Sequence, residues 1–447
     1  MLLTEGSISK KIIKFALPVF WGNLFQQLYH IVDSLILGNF VGKEALAAVS
    51  ASGPVIFLLV GLFGGIFVGA GVVISKLYGA GDEKKVSLAV HTSVLFGIIC
   101  GVVMLVLGSF LSPYILVWIH TPDDVMDLSL IYFKIFFQGI IFIVLYNTLS
   151  GIFQAVGDSR HPLYYLMVSS VLNVVLDLLF VVSFNWGIAG AAIATVISQA
   201  VSVILALIRL LRVDDVYRLQ IKKLKIDPLL LKQILYLGIP SGIQNSVIAL
   251  ANVFVQASIN VFDTVAIAGA GASSRIEGFV FIPITSFVLA MTTFIGQNLG
   301  AREFDRAKKG AKFGIITVVI LAELIGILNF LLAPKLIALF NQDPGVIAVG
   351  TQKARIVAFF YCFLACSHCI AAILRGAGKP IVPMMVMLLC WCVIRVSYIK
   401  IITHYIFEIN VVFWAYPITW CLSTIIFIIY YRKSDWVHNF QNSKYLA

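Results

Sequence analysis

Asn173 and Asp177 lie four residues apart in the run MVSSVLNVVLDLLFVV (167–182), which is otherwise apolar enough to sit in a bilayer. At helical spacing the two side chains share one face. A charged side chain at the bilayer centre costs at least about 2.5–3.5 kcal/mol on insertion scales, so a carboxylate there reads as functional. An amide can hydrogen-bond a protonated carboxyl, or help coordinate a cation bound to the ionised form. Tyr29 and Asp33 repeat the four-residue spacing in an earlier run. Thr195 sits in GIAGAAIATVISQA (187–200), whose small residues permit close helix contact. Blander roles exist for each. Asn173 and Asp177 can serve a structural interhelical hydrogen bond. Asp33 can pair near the outer interface, and Thr195 can bond back within its own helix.

The elements that hold these residues follow from composition. The chain has 447 residues, 60% hydrophobic and 12% charged, too little charge for the surface of a soluble protein of this size. Runs of about 20 apolar residues, enough to span a bilayer, recur throughout. The fold class is therefore all-α, a polytopic membrane protein of twelve transmembrane helices in two six-helix lobes. The expected spans are 12–37, 45–75, 86–110, 126–154, 162–183, 188–208, 233–260, 266–295, 310–332, 346–374, 381–404 and 410–431. The domains read as an N-terminal lobe (1–208), a solvated basic linker (209–232) and a C-terminal lobe with a short tail (233–447). Residues 1–14 are basic and lead into a full-length span, so no cleavable signal peptide is expected.

Most of the 32 Lys and Arg residues fall in segments on one side. They include Lys10, Lys11, Lys14, Lys84, Lys85, the linker, the 302–312 loop, Arg432, Lys433 and Lys444. By the positive-inside rule both termini and the linker are cytoplasmic, and the plasma membrane is the expected location. This bias, with attraction to anionic lipid, accounts for the net charge of +11, so nucleic acid is not an expected partner. Of the seven Cys, Cys362, Cys366 and Cys369 surround His368. A metal site is one reading of that group; small hydrophobes in a helix is the simpler one.

The two halves repeat. At an offset of 221, Gly79-Ala80 meets Gly300-Ala301, Pro113 meets Pro334, Gly157 meets Gly378, Pro162 meets Pro383 and Ala194 meets Ala415. Leu17-Pro18 meets Ile239-Pro240 with one residue of slip. An even number of helices per half makes these parallel repeats about an axis along the membrane normal, a transporter architecture.

Several segments carry a family resemblance: FALPVFWGNLFQQLYHIVDSLILG (15–38), ISKLYGAGDEKK (74–85), FQAVGDSRHP (153–162), RIEGFVFIP (275–283) and FIGQNLGAREFDRAKKG (294–310). Together they resemble the multidrug and toxic compound extrusion (MATE) family across essentially the whole chain. The resemblance implies a cation-coupled efflux pump with two six-helix lobes in a V. No acid lies near Pro240 or in the membrane part of the tenth span, where the NorM-like branch keeps carboxylates. The chain is thus similar to the DinF-like branch, whose cation site lies in the N-terminal lobe. The family's site takes Tyr and Asp from helix 1, Asn and Asp from helix 5 and Thr from helix 6. Tyr29, Asp33, Asn173, Asp177 and Thr195 match it. Two carboxylates in one low-dielectric pocket cannot easily both ionise. The coupling ion is a proton, or sodium held at Asp33, Asn173, Asp177 and Thr195, since these oxygens also suit a hard cation. Pro18 lacks an N–H and can act as a helix-1 hinge.

Candidates for the substrate cavity are Asn23, Gln26 and Gln27 on helix 1 and Asn147 on helix 4. A polar stripe of Asn245, Asn252, Gln256 and Asn260 on helix 7 joins them, with interhelical bonding as its alternative role. Arg275 and Glu277 are two apart and should pair with other helices, not with each other, with a substrate role as the alternative. Glu323 and Arg395 have no partner legible in sequence. The expected activity is antiport of small amphipathic, often cationic compounds by a monomer in contact with lipid, without a cofactor. A lipid-linked oligosaccharide flippase of a related superfamily would favour more helices and a basic cavity. A membrane enzyme would need Asp-rich metal–phosphate motifs or a nucleophile with its base, and the P-loop pattern is absent.

Overall fold

The computed structural model describes residues 2–118 and 121–437; the 438–447 tail, Lys444 included, lies outside the described residues. The helices are α1 Ile8–Phe40, α2 Lys43–Gly79, α3 Glu83–Trp118, α4 Asp123–Ala155, α5 Arg160–Asp177 and α6 Gly187–Arg212. They continue as α7 Pro228–Ile259, α8 Thr264–Gly300, α9 Phe304–Ala338, α10 Pro344–Ala358, α11 Tyr361–Gly376, α12 Ile381–Met387, α13 Arg395–Tyr405 and α14 Ile409–Lys433. Asp side chains start several of them. Asp263 accepts from Ala266 N at 2.7 Å, and Asp343 accepts from Gly345 N and Val346 N.

Among the described residues ten helices are long and apolar enough to cross a membrane, and the bent pair α10–α11 makes an eleventh. The 33-residue α1 supplies the twelfth. At 1.5 Å per residue it is about 50 Å long, but Asn23, Gln26, Gln27, His30 and Asp33 dilute its hydropathy. This span carries one of the two candidate acids, Asp33; the other, Asp177, closes α5.

Three spans depart from a plain α-helix. α5 continues through a π-helical turn at Leu178–Ser183, immediately after Asp177. A second π-helical stretch, Leu388–Ile394, joins α12 to α13. The expected span 346–374 is not one helix: it breaks between α10 and α11 with a 54° bend. No Pro or Gly sits at this break. Instead Gly326 of α9 lies against the carbonyl of Ala358, the last residue of α10, where a Cβ would clash. Close approach of a neighbouring helix, invisible in the local sequence, accompanies the kink.

The chain divides into two compact units: residues 1–2 with 17–242, and residues 3–16 with 243–447. The boundaries fall inside α1 and α7, and not in the 209–232 segment. One lies just before Pro18, and the other just after Pro240. The start of α1 belongs with the second half because Leu3 is fully buried there. Its N–H donates to Gln297 Oε1 at 2.9 Å, and Arg306 donates to the carbonyls of Leu3, Glu5 and Gly6. The 209–232 segment is more tightly held than a solvated linker. Val213, Tyr217 and Leu219 are buried, Gln220 N donates to His91 Nε2 at 3.0 Å and Asp227 N to Thr92 Oγ1 at 3.0 Å.

The first unit packs Phe67, Cys100, Met104, Phe133, Phe137 and Ile140 from α2, α3 and α4. In it α2 crosses the start of α7 backbone to backbone: Gly65 faces Gly242 and Gly69 faces Gly238. The second unit packs Val255, Ile259, Ala270, Ile399, Val412 and Phe413. Apolar side chains such as Phe110, Val117, Leu331 and Leu339 stay exposed, as bilayer contact requires. The repeat is visible in the backbone too. Gly157 and Gly378 have φ of 84° and 78°, and Gly81 and Arg302 have φ of 69° and 61°, each pair at the 221-residue offset.

Candidate functional site

The five residues singled out on α1, α5 and α6 all fall in the first unit. α5 and α6 are brought close by small residues. Ser169 Oγ donates to Ser198 O at 3.0 Å, Ser202 Oγ to Tyr165 O at 3.3 Å, and Gly190 packs on the backbone of Phe180. Ile36 and Leu37 of α1 pack with Val181 and Ala191, fixing α1 against both.

On this frame Asn173 Nδ2 donates to Thr195 Oγ1 at 3.4 Å, and both Asn173 and Asp177 are buried. Asp33 acts electrostatically on Asp177, and the Tyr29 phenol feels both carboxylates and lies beside Gln26 and Gln199. Tyr29, Asp33, Asn173, Asp177 and Thr195 therefore come together. Asp177 Oδ1 and Oδ2, Asp33 Oδ1 and Asn173 Oδ1 are buried with no hydrogen-bond partner. Buried polar atoms are normally satisfied. Four orphaned oxygens in one place form a ready receptor for a proton or a hard cation. They are hard oxygen donors, as sodium requires, and Thr195 Oγ1 accepts from the amide nitrogen of Asn173.

Two residues were missed by sequence reading. Tyr132 of α4 lies within electrostatic range of Asp33, Tyr29 and Asp177. Gln199 of α6 sits one turn beyond Thr195 and reaches Tyr29. The i, i+4 relation of Thr195 and Gln199 was a usable signal. Tyr132, among the aromatics of IYFKIFF, carried none.

The cavity candidates divide. Gln26 belongs to the site through Tyr29, and Gln27 is half-buried. Asn147 is exposed and bonds back to Ile143 O at 2.8 Å. Asn252, Gln256 and Asn260 form an exposed stripe, with Gln256 Nε2 donating to Asn260 Oδ1 at 2.8 Å. Pro18 lies within α1, two residues past the boundary between units.

The four other charged residues singled out in the sequence each have a neighbour on another element. Glu277 lies 3.5 Å from Lys353 of α10, and Arg275 stands over the Phe340 ring. Arg395 donates to Thr419 Oγ1, and Glu323 interacts with the Cys362 thiol. Cys366 and Cys369 are buried in α11, and His368 packs against Trp391 and Phe281.

Comparison with known proteins matches this arrangement to a family. The MatE family model matches residues 18–179 and again residues 240–399, in register with the internal repeat. The probable multidrug resistance protein YoeA of Bacillus subtilis (strain 168) is 29% identical over 96% of this chain and 94% of its own length. The multidrug export protein MepA of Staphylococcus saprophyticus is 24% identical over 79% of this chain and 78% of its own. Among solved structures, an outward-facing multidrug resistance MATE transporter of the MOP superfamily superposes with a TM-score of 0.92. It shares 22% identity and covers 99% of this chain and 98% of that one.

Proposed function

The chain belongs to the MatE family, and from that premise we propose that it is a multidrug efflux transporter, exporting amphipathic, often cationic organic compounds in exchange for protons or sodium by alternating access. The observation that carries the coupling half of this reading is the set of four orphaned oxygens on Asp33, Asn173 and Asp177. Asp177 holds the coupling charge at its carboxylate oxygens. Asp33 sets the energy of that charge, Asn173 bridges it to Thr195, and Tyr29 and Tyr132 wall it from water. A change of charge at Asp177 rewires these bonds and bends α1 near Pro18, where the helix lacks a backbone donor. Sodium, when bound, would supply a positive charge to the same oxygens. The deciding experiment is substrate efflux from liposomes of purified protein under proton and sodium gradients imposed separately. Export driven by neither gradient would overturn the antiport reading.

The polar stripe on α7 tunes substrate range. Asn252→Ala and Gln256→Ala are expected to shift relative transport rates among drugs by a few-fold, while gradient-driven export of at least one substrate persists. Complete uncoupling by either change would place the coupling site in the second half.

In the plasma membrane the chain acts as a monomer with both termini and the 209–232 segment cytoplasmic. Single cysteines introduced near 185 and 340 should label from outside intact cells, and one near 220 only after permeabilisation. Outside labelling at 220 would reverse the topology.

A further inference from the structure

The second unit holds a buried cationic cluster that the coupling site does not use. Lys353 of α10 is fully buried; its ammonium donates to Ser274 Oγ at 2.6 Å and stands 3.5 Å from Glu277 Oε1. Arg395, 1% exposed, donates from Nε and Nη2 to Thr419 Oγ1 at 3.1 and 2.8 Å. Both cations lie on the Tyr416 ring, at 4.6 Å for Arg395 Cζ and 5.5 Å for Lys353 Nζ from its centroid. Among the described residues, Glu277 is the one acid that pairs with Lys353 and the one acid that acts on Arg395. Two buried cations thus share a single acid, and one positive charge is unmatched. An uncompensated charge in a low-dielectric interior is strongly unfavourable.

Donors without acceptors adjoin this cluster. The Tyr361 hydroxyl and the Trp420 indole N–H are buried and have no hydrogen-bond partner. Tyr361 is within electrostatic range of Glu277 and lies beside Asn329. The Trp420 ring contacts both Tyr361 and Tyr416, each at 5.8 Å. Ser274, beside the ammonium, is exposed on α8, so the cluster has a route to the surface of its unit.

We propose that this cluster is a subsite for a negatively charged group, either a small inorganic anion or the carboxylate of a zwitterionic substrate. Lys353 and Arg395 supply the charge. Glu277 balances one of them and leaves the other for the ligand. Tyr361 and Trp420 offer neutral donors nearby. Purely cationic drugs have no use for it, so it widens the substrate range to molecules carrying both signs.

The test is thermal unfolding of the purified protein in nanodiscs, titrated with sodium chloride or sodium benzoate against sodium isethionate, a bulky sulfonate, at constant sodium and pH. A saturable rise in melting temperature with both anions supports a small-anion site. A rise with benzoate alone supports a carboxylate site for substrates. Either rise should vanish in Lys353→Met, which keeps the Glu277–Arg395 pair balanced, and persist in Lys335→Gln at the exposed end of α9. No saturable rise in the wild type, or a rise retained by Lys353→Met, overturns the proposal. If Lys353→Met fails to fold, bromide and 4-bromobenzoate located by anomalous scattering in wild-type crystals decide: density from either beside Lys353 supports the site, and the absence of both overturns it. The readout is binding, so it stands apart from the ion-coupling experiment.

Discussion

Asp177→Asn is expected to bring gradient-driven export down to the background of protein-free liposomes while leaving a folded protein that still binds substrate. The amide keeps the size of the carboxyl but does not titrate or carry charge, so it mimics a permanently neutral site. Asp177 is fully buried and neither of its oxygens has a hydrogen-bond partner. Removing its charge therefore breaks no ion pair, and an amide is cheaper to bury than a carboxylate. Stability should be unchanged or higher. Thermodynamic linkage adds a second signature: substrate affinity in the wild type should vary with pH or sodium, and the variant should lose most of that dependence. Asp33→Asn should also impair coupling, but with a displaced pH profile, because the two acids interact and titrate as a pair. Efflux under an imposed gradient, beside equilibrium binding across pH, measures both. Wild-type rates with unchanged pH dependence in Asp177→Asn would return the acid to a structural role.

Gly69→Leu is expected to abolish folded protein altogether. A Cβ at Gly69 would run into the backbone of Ile234 and Gly238, atoms that cannot swing aside as a side chain can. Ordinary overpacking costs about 1–3 kcal/mol, and a clash between two helix backbones should exceed that. It would part α2 from the start of α7 within the first unit. Gly64, five residues earlier in α2, faces open space, so Gly64→Ala should be tolerated. Size-exclusion profiles of detergent-extracted protein distinguish the two: loss of the monodisperse peak for Gly69→Leu, retention for Gly64→Ala. A well-behaved Gly69→Leu would mean that the crossing is looser than the structure has it.

The sequence by itself determined the class of the protein and singled out the candidate coupling residues. Hydropathy and length mark spans because a bilayer leaves the backbone few alternatives to a helix. The intramembrane acids stand out for the same reason: their desolvation is costly enough that chance placement is rare. The repeat was legible because its turns need particular residues, and Gly157 and Gly378 do share the same left-handed backbone. Tertiary structure alone decided what depends on neighbours distant in the chain. The bend between α10 and α11 accompanies Gly326 of α9 pressing on Ala358, with no breaker residue at the bend itself. The boundary between units falls inside α1 because the backbone of residues 3–6 is bound by Gln297, Asn298 and Arg306, nearly 300 residues away. Tyr132 joins the acid pair, and Lys353 and Arg395 come to share Glu277, only when separate helices pack. Electrostatic pairing in a low-dielectric interior acts through space over a few ångströms, and linear spacing records it only when both partners ride on one helix, as Asn173 and Asp177 do.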